Sequence, residues 1–302
     1  MFDRLRHILQ MIRFSHTLFA FPFALIAAVM AWIAPVGEGP TLGFSLRELA
    51  GIVVCMVCGR SAAMAFNRIA DRVIDAQNPR TQSRHLPRGL LTVRSVAVFA
   101  TVSSAGFVAG TLLFLPNRLP LFLSVPVLAF LLLYSYSKRF TILAHFWLGA
   151  ALMLAPVSTW IAIRGEILET MPSDLVPALV LGAAVLLWVA GFDIIYACQD
   201  VRFDMETKLH SLPAQIGVAG ALKLAALCHV GMIAALAALP LAFAHLGGWI
   251  YWCGIGGIAA LLAYEHALVR PNDLTRVNVA FFNVNAVISV GLFIVVTLDL
   301  LT

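Results

Sequence analysis

Charge is scarce in this chain. Only 12% of its 302 residues are Asp, Glu, Lys or Arg, far below the share that keeps a globular surface in water. The complement is a 61% hydrophobic composition with a mean hydropathy of +0.94. That balance excludes a soluble domain and predicts an all-α integral membrane protein. Its long unbroken apolar runs suit helices, not the alternating strands of a barrel. Cysteine is scarce too: five, scattered through apolar segments. Cys55 and Cys58 form a C-x-x-C, but inside a predicted membrane helix and without a second pair, so they read as small buried hydrophobes. Also missing are a polar linker, a low-complexity tail and a cleavable leader. Arg4, Arg6 and Arg13 run straight into a segment long enough to span, with no small-residue cleavage site before a soluble domain, so the first helix is expected to stay as an anchor. The net charge of +5, mostly arginine, reports topology and not nucleic-acid binding.

About nine apolar segments, each near the roughly 20 residues needed to cross a bilayer, follow one another in a single expected domain over residues 1–302. They run from about Phe14 to Pro35, Glu48 to Asp71, Val93 to Leu115, Leu121 to Tyr136, Ile142 to Ile163, Leu175 to Tyr196, Ala219 to Phe243, Gly248 to Leu268 and Val277 to Leu301. With the N-terminus inside, the cytoplasmic loops collect Arg68, Arg72, Arg80, Arg84, Arg88, Arg94, Lys138, Arg139, Arg202, Lys208, Arg270 and Arg276. The opposite side keeps Arg47, Arg118 and Arg164 beside the acidic Glu166, Glu169 and Asp174. The bias follows the positive-inside rule and predicts a multi-pass protein of the bacterial inner membrane.

Two stretches carry the chemistry. Asn67, Asp71 and Asp75 recur every four residues at the end of the second segment, and Asp200 and Asp204 do the same after the sixth, with Asp193 and Tyr196 one to two turns earlier. Residues four apart share a helix face. Two acidic faces at cytoplasmic helix ends suit a hard cation, chiefly Mg2+, which binds through a few carboxylates plus substrate phosphates. The chemistry expected is therefore a diphosphate held between two acidic helix ends. Cations lie close by: Arg72 between the first pair, and Lys138 four residues after Tyr134, a spacing that in an α-helix aims both at one spot. Arg60 lies two turns before Asn67, about 10 Å deeper. A guanidinium there needs an anion, and its fork matches a carboxylate. A secondary transporter using Asp clusters for ion coupling is the contrasting reading. Such proteins place the ion site near the bilayer midplane on broken helices, whereas these acids sit beside Arg-rich loops at the rim.

N-x-x-x-D-x-x-x-D (Asn67 to Asp75), then N-P-R-T-x-x-R-x-L-P-x-G (Asn78 to Gly89), Y-x-x-x-K-R (Tyr134 to Arg139) and D-x-x-Y-x-x-x-D-x-x-x-D (Asp193 to Asp204) together resemble the UbiA superfamily of intramembrane aromatic prenyltransferases. The resemblance covers nearly the whole chain and is nearest the 4-hydroxybenzoate polyprenyltransferase-like branch. The stretch from Arg13 to Pro22 and the positions Tyr264, Glu265, His266 and Asn285 are similar to a subgroup associated with the futalosine route to menaquinone. Many 4-hydroxybenzoate enzymes have Asn-Asp where this chain has Asn67-Arg68, and Lys-Ser-Thr near His210-Ser211-Leu212. The resemblance implies nine helices around a central cavity with a cytoplasmic cap. It implies a polyprenyl diphosphate donor, an aromatic acid acceptor (4-hydroxybenzoate or a dihydroxynaphthoate) and Mg2+ as cofactor. Other acceptors in the superfamily are haem, chlorophyll or lipid precursors. Carried over, Asn67, Asp71, Asp75, Asp200 and Asp204 would hold Mg2+ and diphosphate, and Asp193 would belong to the second motif. Arg72, Tyr134 and Lys138 would contact the diphosphate or steady an allylic cation; Tyr196 lines the same motif and Arg60 would place the acceptor.

Overall fold

The computed structural model describes residues 7, 8, 10, 11 and 19–302, with the side chains of Val279 and Phe281 left aside. Arg4, Arg6, Arg13 and the expected start of the first span at Phe14 lie outside the described residues. What is described is helical, and its only β pairings are two isolated bridges, Pro35 with Thr41 and Arg270 with Asp273. The helices are α1 (Phe21–Ile33), α2 (Leu46–Ala70), α3 (Arg72–Gln77), α4 (Val93–Thr111), α5 (Leu119–Leu133), α6 (Ala144–Leu168), α7 (Val176–Ala197), α8 (Val201–Glu206), α9 (Leu212–Ala242), α10 (Trp249–Leu268) and α11 (Asn285–Leu301). Seven helices are long and apolar enough to cross a membrane, and α1 is a shorter apolar helix. The expected eighth segment forms as α10 but carries Glu265 and His266 in its last turns and is not among the seven.

Packing divides the chain into two compact units: residues 1–17 with 45–136, and residues 18–44 with 137–302. In the first unit α2 lies along α4. Gly106 and Gly110, four apart on α4, let the helices approach. A Cβ on Gly110 would sit 2.9 Å from Val54 Cγ1, and one on Gly106 would sit 2.9 Å from Cys58 Sγ. Such small-residue seams drive helix association where no hydrophobic force between helices is available. Ser45 caps α2 by accepting from the Glu48 backbone N–H, and Thr92 does the same for α4 at Ser95.

In the second unit α7 is the axis, packed against α6 and α9. Apart from Asp193 and Tyr196 near its end it is apolar, and it is buried from Pro177 to Ala197 on most faces, as a helix with so little polar surface must be. A polar chain ties it to its neighbours: Trp188 Nε1 donates to Asn285 Oδ1 at 2.6 Å, and Asn285 Nδ2 donates to Glu265 Oε1 at 2.9 Å. Near the end of α6, Arg164 is 1% exposed and fully engaged. It donates to both oxygens of Asp174 and to the carbonyls of Ala31, Ala34 and Pro35, so it clamps the end of α1 to α6. The topological reading of Arg164 as a loop charge is thus corrected: α6 continues past Ile163 to Leu168, and its kink at Arg164 (φ −113°, ψ 15°) turns the side chain inward.

Candidate active site

Each acidic motif is built from the same local pieces. A long helix stops, an aspartate adopts a near-bridge conformation, and a six-residue helix begins. In the first unit that aspartate is Asp71 (φ −94°, ψ 3°), between α2 and α3; in the second it is Asp200 (φ −101°, ψ 3°), between α7 and α8. The bridge region is one where active-site residues recur. The second aspartate of each pair falls in the first turn of the short helix and is buried: Asp75 is 5% exposed and Asp204 2%. The expected four-residue spacing therefore survives across a break that the periodicity did not foretell.

In the first unit, successive backbone bonds run from Asp71 N–H to the Asn67 carbonyl (2.9 Å) and from Asp75 N–H to the Asp71 carbonyl (2.7 Å). Asn67 Nδ2 donates to Asp71 Oδ2 at 2.8 Å, so the first two predicted residues touch. Arg68, read from sequence only as a topology marker, is 8% exposed and donates to Asn67 Oδ1 at 3.1 Å. Asp75 is gripped from the following loop: Arg84 Nη1 donates to both of its oxygens at 2.6 and 2.8 Å, and Thr81 Oγ1 donates to its carbonyl. Arg84 belongs to the arginine-crowded loop, but no spacing rule ties it to Asp75. Arg72 is exposed and donates to the Ile69 carbonyl at 3.0 Å, at the end of α2. The loop is strongly positive. His85 is held below the ordinary histidine range, first by burial and then by His7, Arg68 and Arg88. Arg60 lies half-buried within α2, and no hydrogen bond or ion pair joins it to another described residue.

Tyr134 and Lys138 lie in a 3-10 segment, Tyr134–Arg139. With three residues per turn, Tyr134 eclipses Ser137, and Lys138 is rotated away from it. The expectation that four-residue spacing aims both at one spot is corrected, because it assumed an α-helix.

In the second unit, Asp193 and Tyr196 are on α7, half-buried, with Tyr196 packed on the cluster of Ile194, Ile195 and Leu212. Asp204 Oδ2 is buried without a hydrogen-bond partner among the described residues. The Ser211 hydroxyl lies beside this carboxylate, and the charged or titratable groups around it are Lys138, Asp200 and His145. Backbone bonds brace the corner, with Leu209 N–H donating to the Asp204 carbonyl (2.9 Å) and His210 N–H to the Lys138 carbonyl (2.7 Å). Sequence reasoning missed His145. It is fully buried at the start of α6, and its Nδ1 lies 2.6 Å from Asp193 Oδ2. A lone histidine opening an apolar helix carries no motif that could have flagged it.

Among the described residues no three His, Cys, Asp or Glu side chains form a metal cage. What each motif offers is a pair of carboxylates: in the first Asp75 is buried beside the half-buried Asp71, and in the second both Asp200 and Asp204 are buried. That donor set fits a hard cation whose remaining positions are filled by substrate phosphate and water, and the orphaned Asp204 oxygen fits an acceptor awaiting a cation.

The family model for the UbiA prenyltransferase family matches residues 20–287. The chain is 31% identical over 267 residues to 4-hydroxybenzoate octaprenyltransferase of Alcanivorax borkumensis, covering 87% of this chain and 86% of that one. It is 30% identical over 300 residues to the protein of the same name from Coxiella burnetii, covering 97% and 95%. Among solved structures, the apo form of a UbiA homologue from Aeropyrum pernix K1 matches with a TM-score of 0.80 and 32% identity, over 94% of this chain and 98% of that one. A UbiA homologue from Archaeoglobus fulgidus, bound to DMAPP and Mg2+, shares the fold at a TM-score of 0.66 and 18% identity, over 96% and 99%. This chain belongs to the UbiA prenyltransferase family. It is an enzyme, a prenyltransferase of the membrane-spanning helical type.

Proposed function

We propose that this prenyltransferase moves a polyprenyl group from a polyprenyl diphosphate to an aromatic acid in quinone biosynthesis, with Mg2+ as cofactor and its acidic motifs facing the cytoplasm. The observation that carries the reading is the duplicated helix–aspartate–short helix corner with its buried second aspartate. It is supported by the relatives named 4-hydroxybenzoate octaprenyltransferase and by the DMAPP and Mg2+ bound to a protein of the same fold.

Asn67, Asp71 and Asp75 of the first motif and Asp200 and Asp204 of the second would hold the metal and the diphosphate. Mg2+, when bound, neutralises charge on the leaving diphosphate. Arg72 and Lys138 add fixed positive charge for the same oxygens, which counts for more where water is excluded. The allylic C–O bond breaks and its electron pair leaves with the diphosphate. Tyr134 would steady the allylic cation, which the membrane interior shields from water. The electron-rich acceptor ring attacks through carbon, and the carboxylate of Asp193 takes the displaced ring proton. Arg60 anchors the acceptor's carboxylate with its fork.

4-Hydroxybenzoate is the acceptor that the named relatives favour. A dihydroxynaphthoate is the second reading, favoured by Asn67-Arg68: the buried Arg68 side chain donates to Asn67 Oδ1 where many 4-hydroxybenzoate enzymes have an aspartate. Purified protein supplied with a prenyl diphosphate, Mg2+ and each acid in turn is expected to release diphosphate and give a product heavier by the prenyl group. Mass spectrometry identifies the acceptor. Removing Mg2+ with a chelator, or introducing Asp71→Asn or Asp200→Asn, should lower turnover by ~100-fold or more with the protein still folded. Near-normal turnover in either variant removes the motif from the metal site.

A further inference from the structure

Asp193 is oriented by a single hydrogen bond. Its Oδ2 meets His145 Nδ1 at 2.6 Å, a short contact. No other hydrogen bond to Asp193 is found among the described residues. The two partners differ in access. The His145 side chain is 0% exposed, whereas Asp193 keeps 16% of its side chain open. The imidazole is thus sealed from solvent while the carboxylate is not, and Oδ1 is the oxygen that His145 leaves unbound. The ring's other nitrogen, Nε2, is buried without a partner among the described residues, so among them the Asp193 contact is its one polar anchor. Two separate helices meet here: His145 comes from the first turn of α6 and Asp193 from the last turns of α7. Their close packing is fixed by Gly149, one turn after His145, where a Cβ would strike the Leu186 carbonyl oxygen. The bond is therefore set by the helix seam and not by side chains free to rearrange.

We propose that His145 is a positioning residue for prenyl transfer, holding Asp193 so that Oδ1 faces the ring carbon undergoing substitution. This rests on the reading of Asp193 as the proton acceptor. As the new C–C bond forms, the ring becomes a cation with one sp3 carbon. Its C–H electron pair returns to the ring, the proton passes to Oδ1, and Oδ2 stays on Nδ1–H throughout. A carboxylate free to rotate about two torsions would spend most of its time misdirected. Misplacement by about 1 Å costs on the order of 100-fold in rate.

The test uses full-length protein in detergent, with His145→Leu, His145→Asn, Asp193→Asn and the His145→Leu/Asp193→Asn double variant. Diphosphate release gives kcat and both KM values, and thermal unfolding shows that each variant is folded. His145→Leu should lose ~10–100-fold in kcat while the KM for prenyl diphosphate stays within about twofold, since the diphosphate is held elsewhere. His145→Asn, whose amide N–H replaces Nδ1–H, should recover most of the loss. The double variant should be no slower than Asp193→Asn. An acceptor deuterated at the substituted carbon should show a larger isotope effect with His145→Leu than with the parent enzyme, which a purely structural role would not produce. Should His145→Leu fail to fold, His145→Phe keeps the ring shape without the nitrogens and takes its place. If Asp193→Asn cripples the enzyme while the folded His145 variants retain parental kcat and isotope effect, the positioning role is overturned and Asp193 keeps its own. If Asp193→Asn itself turns over normally, the proton-acceptor reading falls, and the role of His145 with it.

Discussion

Arg60 and Arg164 both lie in long apolar helices, and the structure treats them oppositely. Arg164 has every donor direction used, on one carboxylate and three carbonyls. Arg60 is half-buried in α2 without a hydrogen bond or ion pair to a described residue. A charge in a membrane helix is costly unless partnered, so the second arrangement points to an anion supplied from outside the chain. Arg60→Lys keeps the charge and loses the fork. We expect the KM for the aromatic acid to rise by roughly tenfold, the scale of one lost charge-assisted bond, and the KM for prenyl diphosphate to stay nearly constant. Steady-state titration of each substrate against purified variant separates the two. A rise in the prenyl diphosphate constant alone would assign Arg60 to the diphosphate instead. Arg164 makes a different prediction. Arg164→Met strands Asp174 beside the Trp160 indole N–H and leaves three carbonyls unpaired. Breaking one side of such a buried pair costs about 3–5 kcal/mol, so the detergent-solubilised variant should unfold at clearly lower temperature while the few molecules that fold keep their affinity for prenyl diphosphate.

At the scale of elements, what was legible in the sequence is what repeats. Apolar length marked the helices, and four-residue spacing marked Asn67, Asp71 and Asp75, because a backbone bond from each aspartate N–H to the carbonyl four residues earlier keeps that spacing through the break at Asp71. Illegible were contacts that join distant segments. Arg84 reaching Asp75 and His145 reaching Asp193 span 9 and 48 residues, and nothing in local periodicity encodes them. The 3-10 turn at Tyr134–Arg139 was missed for another reason, since a helix-forming sequence does not declare its pitch. The loop between α3 and α4 adds a pH prediction. Burial and cationic neighbours hold His85 below its ordinary range, so the unfolded chain binds the proton more readily than the folded one. Stability should therefore fall as pH drops below about 6.5. Melting temperatures at pH 7.5 and 5.5 should differ less in His85→Gln than in the parent protein. Equal differences would show that this histidine does not set the acid sensitivity.

For the whole molecule, the number of crossings turns on α10. Between the loop 76–92 and Thr302 lie α4, α5, α6, α7, α9, α10 and α11. If all of them cross, the loop and the C-terminus are on opposite sides; if α10 does not, they share a side. The apolar stretch Trp249–Ala263 argues for crossing. So does charge: Arg270 and Arg276 follow α10, and Asp299 lies near the far end of α11, where it accepts from the backbone N–H groups of Gly247, Gly248 and Tyr251 at the start of α10. That contact requires the start of α10 and the end of α11 to be at one level, as two antiparallel crossings would place them. Glu265, near the other end, is also absorbed, through Asn285 at the start of α11. With both ends matched, α10 is expected to span, leaving the loop 76–92 cytoplasmic and Thr302 on the far side. The measurement is cysteine labelling in sealed, oriented inner-membrane vesicles. Cys55, Cys58, Cys198, Cys228 and Cys253 are first replaced, and single cysteines are then placed at Gln82 and Thr302. An impermeant maleimide should reach Gln82→Cys from the cytoplasmic face only and Thr302→Cys from the opposite face only. Labelling of both from one face would take α10 out of the membrane and the expected nine crossings with it.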